Sequence, residues 1–232
     1  NREIFLPPGH LLSLYMSLYP SYDKFLLSKI KKINEGDAII DIGANVGDTL
    51  FGLLGANSDP NFYCIEADQY FFKYLEKNKD LLDDNLKRKI TLIKELVGFD
   101  IKGNLSETST GTKSLIKSEN GINSKKLDEI IIEYKIKNIK LIKVDVDGYD
   151  YNVLISALNE ITTNKPDLFF EYLVLDEKGF KGYSNLLEKL NDIGYAKWTV
   201  LNNYGSVIID NGSYEDVLKL TNSAEKNKTI YD

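Results

Sequence analysis

The sequence predicts an α/β fold. In it, an open and mostly parallel sheet of seven strands, with one antiparallel strand at its C-terminal end, lies between two layers of helices (three-layer αβα). Short apolar runs alternate with segments whose apolar residues recur at helical spacing, which is typical of strands joined by helical crossovers. The last two apolar runs are separated only by residues 202–205, which suffices for an antiparallel hairpin but not for a parallel crossover.

The individual elements follow from apolar spacing and from turn residues. Apolar runs predict strands at 38–42, 62–66, 90–97, 139–146, 167–174, 196–201 and 206–210. Helical spacing predicts helices at 20–34, 48–56, 69–84, 126–134, 151–161 and 183–192. The turn before the first strand is Asn-Glu-Gly-Asp, and Gly194 closes the last helix. Residues 98–124 are rich in Gly, Ser, Thr and Asn, and there we expect a loop with a hairpin that contacts the acceptor.

The predicted organisation is a single core domain with two flanking segments. Residues 1–35 are interpreted as an N-terminal arm and helix that cover the site, 36–212 as the core domain, and 213–232 as a C-terminal tail. A length of 232 residues with 43% hydrophobic composition suits one such domain. Because the first residue is not methionine, we expect a trimmed chain or part of a longer protein.

Charge and cysteine content exclude several classes. The formal net charge of −6 disfavours a nucleic-acid-binding protein, which needs a basic surface for phosphates. Cys64 is the single cysteine and lies in an apolar run, so we expect a core residue rather than a disulfide or zinc site. No segment resembles a signal peptide or a membrane span, and the sequence therefore predicts a cytoplasmic protein.

The loop after the first strand carries the strongest functional signal. The strand contains Asp41, and Gly43 and Gly47 allow a tight turn against a ligand. Ligands of open α/β sheets bind at the carboxyl ends of the strands. Asn45 replaces the middle glycine of a dinucleotide motif, so this loop suits a methionine carboxylate and amine better than a diphosphate. A P-loop is excluded because no Gly-Lys-Ser/Thr follows.

An acidic residue ends the second strand. Glu66 lies where a carboxylate accepts hydrogen bonds from both hydroxyls of a ribose. NAD and S-adenosylmethionine share that requirement, but the combination of Asp41, Glu66 and the Asn45-containing loop favours S-adenosylmethionine.

These residues resemble the FkbM family of class I S-adenosylmethionine-dependent methyltransferases, over most of residues 20–175. The resemblance rests on Asp-Ile-Gly-Ala-Asn-Val-Gly-Asp-Thr (41–49), Ile-Glu-Ala-Asp (65–68), Lys-Leu-Asp-Glu-Ile-Ile (126–131), Leu-Ile-Lys-Val-Asp-Val-Asp-Gly-Tyr-Asp (141–150) and Pro-Asp-Leu-Phe-Phe-Glu (166–171). The family form of the fourth motif is Lys-Ile-Asp-Val-Glu-Gly-x-Glu, and its two glutamates are here Asp147 and Asp150.

The resemblance implies a Rossmann-like fold, S-adenosylmethionine as cofactor and a hydroxyl acceptor on a sugar, a surface polysaccharide or a natural product. The N-terminal Pro-Pro-Gly-His-Leu-Leu and Tyr22-Asp23 are similar to members associated with polysaccharide assembly, so we expect association with such enzymes. The family resemblance places the cofactor-binding residues at Asp41, Gly43, Asn45, Gly47, Asp48, Thr49, Glu66, Ala67, Asp68, Leu96 and Asp145.

The acceptor side is predicted to use Asp145, Glu171, Lys143 and His10. Asp145 ends the fourth strand and Lys143 lies two residues earlier, on the same side of that strand. Acid–base positioning of the acceptor is the first interpretation, and a divalent metal held by Asp145, Asp147 or Glu171 is the second. The third is structural: Lys143 pairs with Glu171, or Asp147 and Asp150 cap the next helix. We expect no metal. His10, the only histidine, is a candidate base on an arm that folds over the site.

Three other functions compete with the methyltransferase. An NAD(P)-dependent oxidoreductase would share the sheet, but the G-x-G-x-x-G loop is missing. A non-catalytic docking module would need none of the cofactor residues. An amino-methylating enzyme of nucleic acids would carry an Asn/Asp-Pro-Pro-Tyr loop, whereas residues 145–148 contain no proline.

Overall fold

The fold is known from a computed structural model that describes residues 3–19, 24–30, 32–54, 60–107, 113–174, 176–202 and 204–227. Parts of the sequence predictions fall outside those residues: 1–2 of the arm, 20–23 and 31 of the first helix, which include Tyr22 and Asp23, 55–56 of the second helix, 108–112 of the loop at 98–124, 203 of the turn at 202–205, and 228–232 of the tail.

The described strands are β1 (Ala38–Ile42), β2 (Asn61–Ile65), β3 (Ile90–Ile93), β4 (Lys102–Glu107), β5 (Lys113–Lys117), β6 (Ile122–Asn123), β7 (Ile139–Val144), β8 (Asp167–Phe170), β9 (Trp198–Leu201) and β10 (Val207–Gly212). The described helices are α1 (Leu12–Leu18), α2 (Lys24–Ile30), α3 (Asp48–Leu53), α4 (Gln69–Lys79), α5 (Asp84–Arg88), α6 (Leu127–Glu133), α7 (Asp150–Ile155), α8 (Leu158–Asn164), α9 (Glu177–Asp192) and α10 (Tyr214–Asn227).

A five-stranded parallel sheet forms the centre of the fold, in the order β3-β2-β1-β7-β8. All five residues of β1 are buried, as expected for a middle strand covered on both faces. Ile40 and Ile42 face one apolar cluster, whereas Ile39 faces the other. This confirms the α/β class and the mainly parallel sheet.

The sheet has five strands in the described residues, whereas the sequence predicted seven. β9 and β10 do form an antiparallel pair, but they hydrogen-bond to each other in a separate two-stranded sheet. Most β10 side chains are at least partly exposed, with Val207 51% accessible, so this strand lacks the buried faces that a central sheet requires.

Residues 98–124 contain a further, three-stranded antiparallel sheet in the order β5-β4-β6. Leu105 on β4 and Leu115 on β5 lie in register and point toward the carboxyl ends of the central strands. The segment predicted to contact the acceptor thus lies beside the edge of the sheet where ligands bind.

Several helices differ from the sequence prediction. The single helix predicted at 151–161 is two helices, α7 and α8. At the end of α7 the hydroxyl of Ser156 donates to the carbonyl of Val153 and accepts from the N–H of Leu127, the first residue of α6. Helix α9 begins at Glu177, six residues before the predicted start, and Asp176 caps it by accepting from the N–H of Gly179 at 2.7 Å. Helix α10 occupies the predicted tail, and Val217 of this helix is buried in the core.

Cys64 is fully buried on β2, where burial raises the pKa of its thiol well above the ordinary value. Within the described parts of the chain, no helix is both long enough and apolar enough to cross a bilayer.

Candidate active site

The loop between β1 and α3 passes against the end of β7. Gly43 has φ +78°, and a Cβ at this position would lie 1.9 Å from the backbone oxygen of Asp145. The N–H groups of Gly43 and Ala44 both donate to the carbonyl of Ile65 at 3.0 Å, which ties the loop to the end of β2. Only glycine fits this crossing, as the motif predicted.

Two further residues of this loop have left-handed backbone. Asn45 has φ +48°, which asparagine tolerates better than most residues. Gly47 has φ +91°, and a Cβ there would lie 2.8 Å from a methyl of Leu75 on α4. Thr49 is buried behind the loop, and burial also raises the pKa of Asp48.

A buried lysine joins two carboxylates beneath the loop. The Nζ of Lys143 lies 3.3 Å from Oδ1 of Asp41 and 3.3 Å from Oδ2 of Asp145. The side chain of Asp41 is 3% exposed and that of Asp145 is 47% exposed. Burial raises the pKa of Asp41 more strongly than Lys143 lowers it. Asp145 thus faces the cleft, with Lys143 and Asp41 behind it.

The carboxylate of Glu66 is fixed at the end of β2 by backbone donors. Oε2 accepts from the N–H of Asn45 at 2.8 Å, and Oε1 accepts from the N–H of Asp68 at 2.7 Å. Burial outweighs these hydrogen bonds and raises the pKa of Glu66 to about 7. Glu66 therefore titrates near neutral pH while it lines the cleft.

Asp68 has a different role from Glu66. Its Oδ1 accepts from the N–H groups of Tyr70 and Phe71 at 2.9 and 3.1 Å, which caps α4. Its Oδ2 pairs with Lys113 of β5 at 2.8 Å. Asp68 thus holds the β4–β5 hairpin beside the cleft.

Glu171 follows β8 and is held through its backbone. Its N–H donates to Oδ1 of Asp150 at 3.3 Å, and its carbonyl accepts from the hydroxyl of Tyr183 at 2.9 Å. Asp150 is fully buried, and burial together with Asp145 raises its pKa to about 8. These contacts fix the end of β8 relative to the loop after β7.

The N-terminal arm covers the cleft through His10. Its Nδ1 accepts from the N–H of Leu12 at 3.2 Å, and its Nε2 lies 3.4 Å from Oδ1 of Asn45. The ring also packs edge-on against Phe71, with centroids 6.0 Å apart. Both ring nitrogens therefore have neighbours within hydrogen-bonding distance, one on the arm and one on the loop.

A cleft of about 240 Å³ lies at the carboxyl edge of the sheet. Of the predicted site residues, it is lined by His10, Gly43, Asn45, Asp48, Glu66, Ala67, Leu96, Lys143, Asp145 and Glu171. Asp41, Gly47, Thr49 and Asp68 lie behind its wall. The structure thus brings most of the predicted residues together around one cavity.

Sequence reasoning missed Asn78 and Lys113. Asn78 is buried on the inward face of α4 beside Leu75, and a polar residue on that apolar face is a signal that could have been noticed. Lys113 lies in the segment without periodicity, where no pattern points to it. Among the described residues, no group of three or more His, Cys, Asp or Glu is arranged to hold a metal ion.

The family sequence model described as the methyltransferase FkbM domain matches residues 41–197, which is more than half of the chain. The chain belongs to the FkbM methyltransferase family. The family resemblance predicted from the sequence is therefore confirmed, and S-adenosylmethionine is the cofactor. An S-adenosylmethionine-dependent methyltransferase is favoured over the oxidoreductase and the docking module.

Similar solved structures include the precorrin-6y C5,15-methyltransferase from Geobacter metallireducens, at 12% identity over 78% of this chain and 74% of that chain, with a TM-score of 0.48. The plantazolicin methyltransferase BamL, in complex with a triazolic desmethylPZN analog and SAH, is 12% identical. The match covers 94% of this chain and 86% of that chain, with a TM-score of 0.48. A human methyltransferase 10 domain containing protein is 17% identical over 86% of this chain and 82% of that chain, with a TM-score of 0.43. No curated protein matches the chain.

Proposed function

We propose that this FkbM protein transfers a methyl group from S-adenosylmethionine to a hydroxyl of a sugar, a surface polysaccharide or a natural product. The observation that carries the proposal is the position of Asp145. Its half-exposed carboxylate faces the cleft while its backbone oxygen contacts the crossing at Gly43. A proton acceptor therefore lies next to the loop predicted to hold the cofactor.

The cleft residues fit the cofactor on structural grounds. Glu66 presents a carboxylate at the end of β2, which suits the two hydroxyls of a ribose. Gly43 allows the loop to pass directly against the backbone of Asp145 at the edge of the cleft, and Asn45 adds polar atoms beside it. Leu96 contributes apolar surface suited to an adenine. When bound, the cofactor supplies an activated methyl group.

The acceptor end of the cleft suits hydroxyl groups. Asp145, Asp147 and Glu171 line it together with Tyr149. Carboxylates accept hydrogen bonds from hydroxyls, and aromatic rings pack against sugar faces. Methylation of the acceptor oxygen would break the bond between the methyl carbon and the sulfonium sulfur, whose electron pair would stay on the departing thioether. The acceptor hydroxyl would lose its proton, and the carboxylate of Asp145 would receive it.

Lys143 and His10 position other groups in this proposal. Lys143 is buried between Asp41 and Asp145, so it fixes the direction of the Asp145 carboxylate. His10 has its Nδ1 occupied by the N–H of Leu12 and its Nε2 beside Asn45. We therefore assign the base to Asp145 and give His10 a role in closing the cleft.

The test is methyl transfer from labelled cofactor to sugar nucleotides, lipid-linked glycans and macrolides, with and without magnesium. The expected product carries a new O-methyl group, identified by NMR. Asp145→Asn should lower turnover by about a hundredfold with cofactor affinity changed less than about threefold, because removing a general base costs a factor of this order. Asp192→Asn is the matched control, because Asp192 is exposed at the end of α9 and is not among the residues that line the cleft. Methyl transfer to nitrogen or carbon, or full activity of the Asp145 variant, would contradict the proposal.

Cytoplasmic location and association with polysaccharide-assembly enzymes belong to the same proposal. Both follow from the proposed acceptor class, because sugar nucleotides and lipid-linked glycans are the substrates of such enzymes. Co-purification with the glycan-assembly enzymes of the source cell would support this part of the proposal, and recovery of the protein alone would oppose it.

A further inference from the structure

Asn78 joins the N-terminal arm to the cofactor loop, although it lies outside the cleft. Its Oδ1 accepts from the N–H of Phe5 at 2.6 Å, and its Nδ2 donates to the carbonyl of Phe5 at 3.0 Å. The same Nδ2 donates to the carbonyl of Val46 at 2.8 Å. One carboxamide thus bonds both backbone groups of an arm residue and one of the loop between β1 and α3.

The environment of Asn78 makes these bonds strong constraints. The residue is 0% exposed and lies on the buried face of α4 with Leu75. A buried amide that loses a partner retains the full desolvation cost of its polar atoms. Undocking of the arm at Phe5 would leave Oδ1 of Asn78 without its donor, so the docked arm is favoured.

From Phe5 the arm continues over the cleft. The N–H of His10 donates to the carbonyl of Pro7 at 3.1 Å, which turns the chain back toward the cofactor loop. His10, Leu12 and Tyr15 then line the cleft together with Gly43 and Asn45 of the cofactor loop. The same arm segment therefore closes the cavity and is anchored by Asn78.

We propose that Asn78 is a positioning residue for the cofactor, which docks the arm onto the cofactor loop so that residues 10–15 close over the bound cofactor. The proposal rests on the S-adenosylmethionine-dependent function. Entry and exit of the cofactor then require release of the arm. Anchoring at Phe5 therefore sets the rate at which the cofactor dissociates.

The arm offers a variant that removes one of these hydrogen bonds without touching the core. Phe5→Pro removes the N–H that donates to Asn78, because proline has no amide hydrogen. Phe5→Ala keeps that N–H and removes only the ring, which is 42% exposed and stacks under the ammonium of Lys77 at 3.6 Å. Glu3→Pro places a proline at an exposed arm position and controls for the effect of proline itself.

The experiment measures dissociation of labelled S-adenosylmethionine by displacement with unlabelled cofactor, together with equilibrium affinity by calorimetry. Loss of a buried hydrogen bond predicts that Phe5→Pro dissociates about tenfold faster, with Phe5→Ala and Glu3→Pro within about twofold of the parent protein. The association rate should not fall, because an open arm leaves the cleft accessible. If Asn78 only stabilised the fold, Phe5→Pro would not release the cofactor faster than Phe5→Ala and Glu3→Pro do.

Proteolysis supplies a second readout that needs no acceptor. Cofactor should protect the arm from chymotrypsin at Tyr15 and Tyr19 in the parent protein and much less in Phe5→Pro. Equal dissociation rates for Phe5→Pro and Phe5→Ala would overturn the proposal while leaving the proposed function intact. Absence of cofactor binding by the parent protein would instead defeat the proposed function itself.

Discussion

The ammonium of Lys143 lies 3.3 Å from Oδ1 of Asp41, and both side chains are almost completely buried. Within the described residues, neither carboxylate oxygen of Asp41 accepts a hydrogen bond. The charge of Lys143 is therefore the main compensation for a carboxylate in the middle of the sheet.

Lys143→Met should strongly destabilise the fold. It leaves the charge of Asp41 buried without its cation, and breaking a buried pair from one side costs about 3–5 kcal/mol. The loss should be smaller at pH 5 than at pH 8, because protonation of Asp41 removes the uncompensated charge. Urea denaturation at both pH values measures this loss of unfolding free energy.

Lys140→Met is the matched control, since Lys140 is exposed on the same strand. Combining Asp41→Asn with Lys143→Met should recover part of the lost stability. If Lys143→Met were no less stable than Lys140→Met, the buried pair would not have the assigned role.

Gly43→Ala should abolish cofactor binding and lower stability. The added Cβ would lie 1.9 Å from the backbone oxygen of Asp145, and alanine also disfavours φ +78°. Gly52→Ala is the control, because its Cβ would meet nothing within 4 Å on α3. We expect Gly52→Ala to be neutral or stabilising by about 0.5–1 kcal/mol, as measured by thermal unfolding and calorimetry. Near-parental cofactor affinity of Gly43→Ala would refute the close crossing.

The fold could be predicted where local pattern determines structure. Four of the five residues at 38–42 are apolar because β1 is covered on both faces, so its burial is visible in the sequence, with Asp41 as the exception. The attachment of β9 and β10 to the sheet is a long-range choice that no local pattern encodes. Helix α9 begins six residues before its predicted start, and within that extension Gly182 packs closely against the ring of Tyr151, a long-range contact that the local sequence does not encode.

The candidate site divides along the same line. Gly43 and Glu66 could be predicted because a tight turn and a strand-end carboxylate leave a motif in the sequence. Asn78 shows in the sequence only as a polar residue on the apolar face of α4. Its link to the arm could not be predicted, since Phe5 is 73 positions away and contributes only backbone atoms to these hydrogen bonds.

Cofactor affinity should fall as pH decreases through about 7. Glu66 has a pKa raised to about 7 in the cofactor-free protein, chiefly by burial. Accepting hydrogen bonds from two ribose hydroxyls favours the carboxylate, so binding lowers this pKa and releases a proton. Affinity should therefore be highest above pH 7 and decline below it.

Calorimetry in buffers of different ionisation enthalpy measures the released proton. Glu66→Gln should bind more weakly and show no proton release near pH 7, whereas Glu76→Gln, at an exposed position on α4, should match the parent protein. A pH-independent affinity in the parent protein would contradict the assignment of Glu66 to the ribose.

Asp150→Asn should stabilise the protein at alkaline pH. Asp150 is fully buried, and burial together with Asp145 raises its pKa to about 8. A raised pKa means that the stability contributed by the protonated acid is complete below the ordinary value of 3.8 and is lost as pH rises through about 8. Asparagine keeps an oxygen that accepts from the N–H of Glu171 and stays neutral at every pH.

Thermal unfolding between pH 4 and pH 9 tests this relationship. The two proteins should unfold at similar temperatures at pH 4, and the variant should gain on the order of a few kcal/mol by pH 9, since each unit of pKa shift is worth about 1.4 kcal/mol. Asp84→Asn, at an exposed position on α5, should show no such trend. Of the groups around Asp150, the charge of Asp145 opposes its ionisation, whereas the N–H of Glu171 favours it; Tyr183 also lies nearby. A constant difference between Asp150→Asn and the parent protein across this range would mean that Asp150 is ionised in the fold, and that the end of β8 is held by a charged side chain.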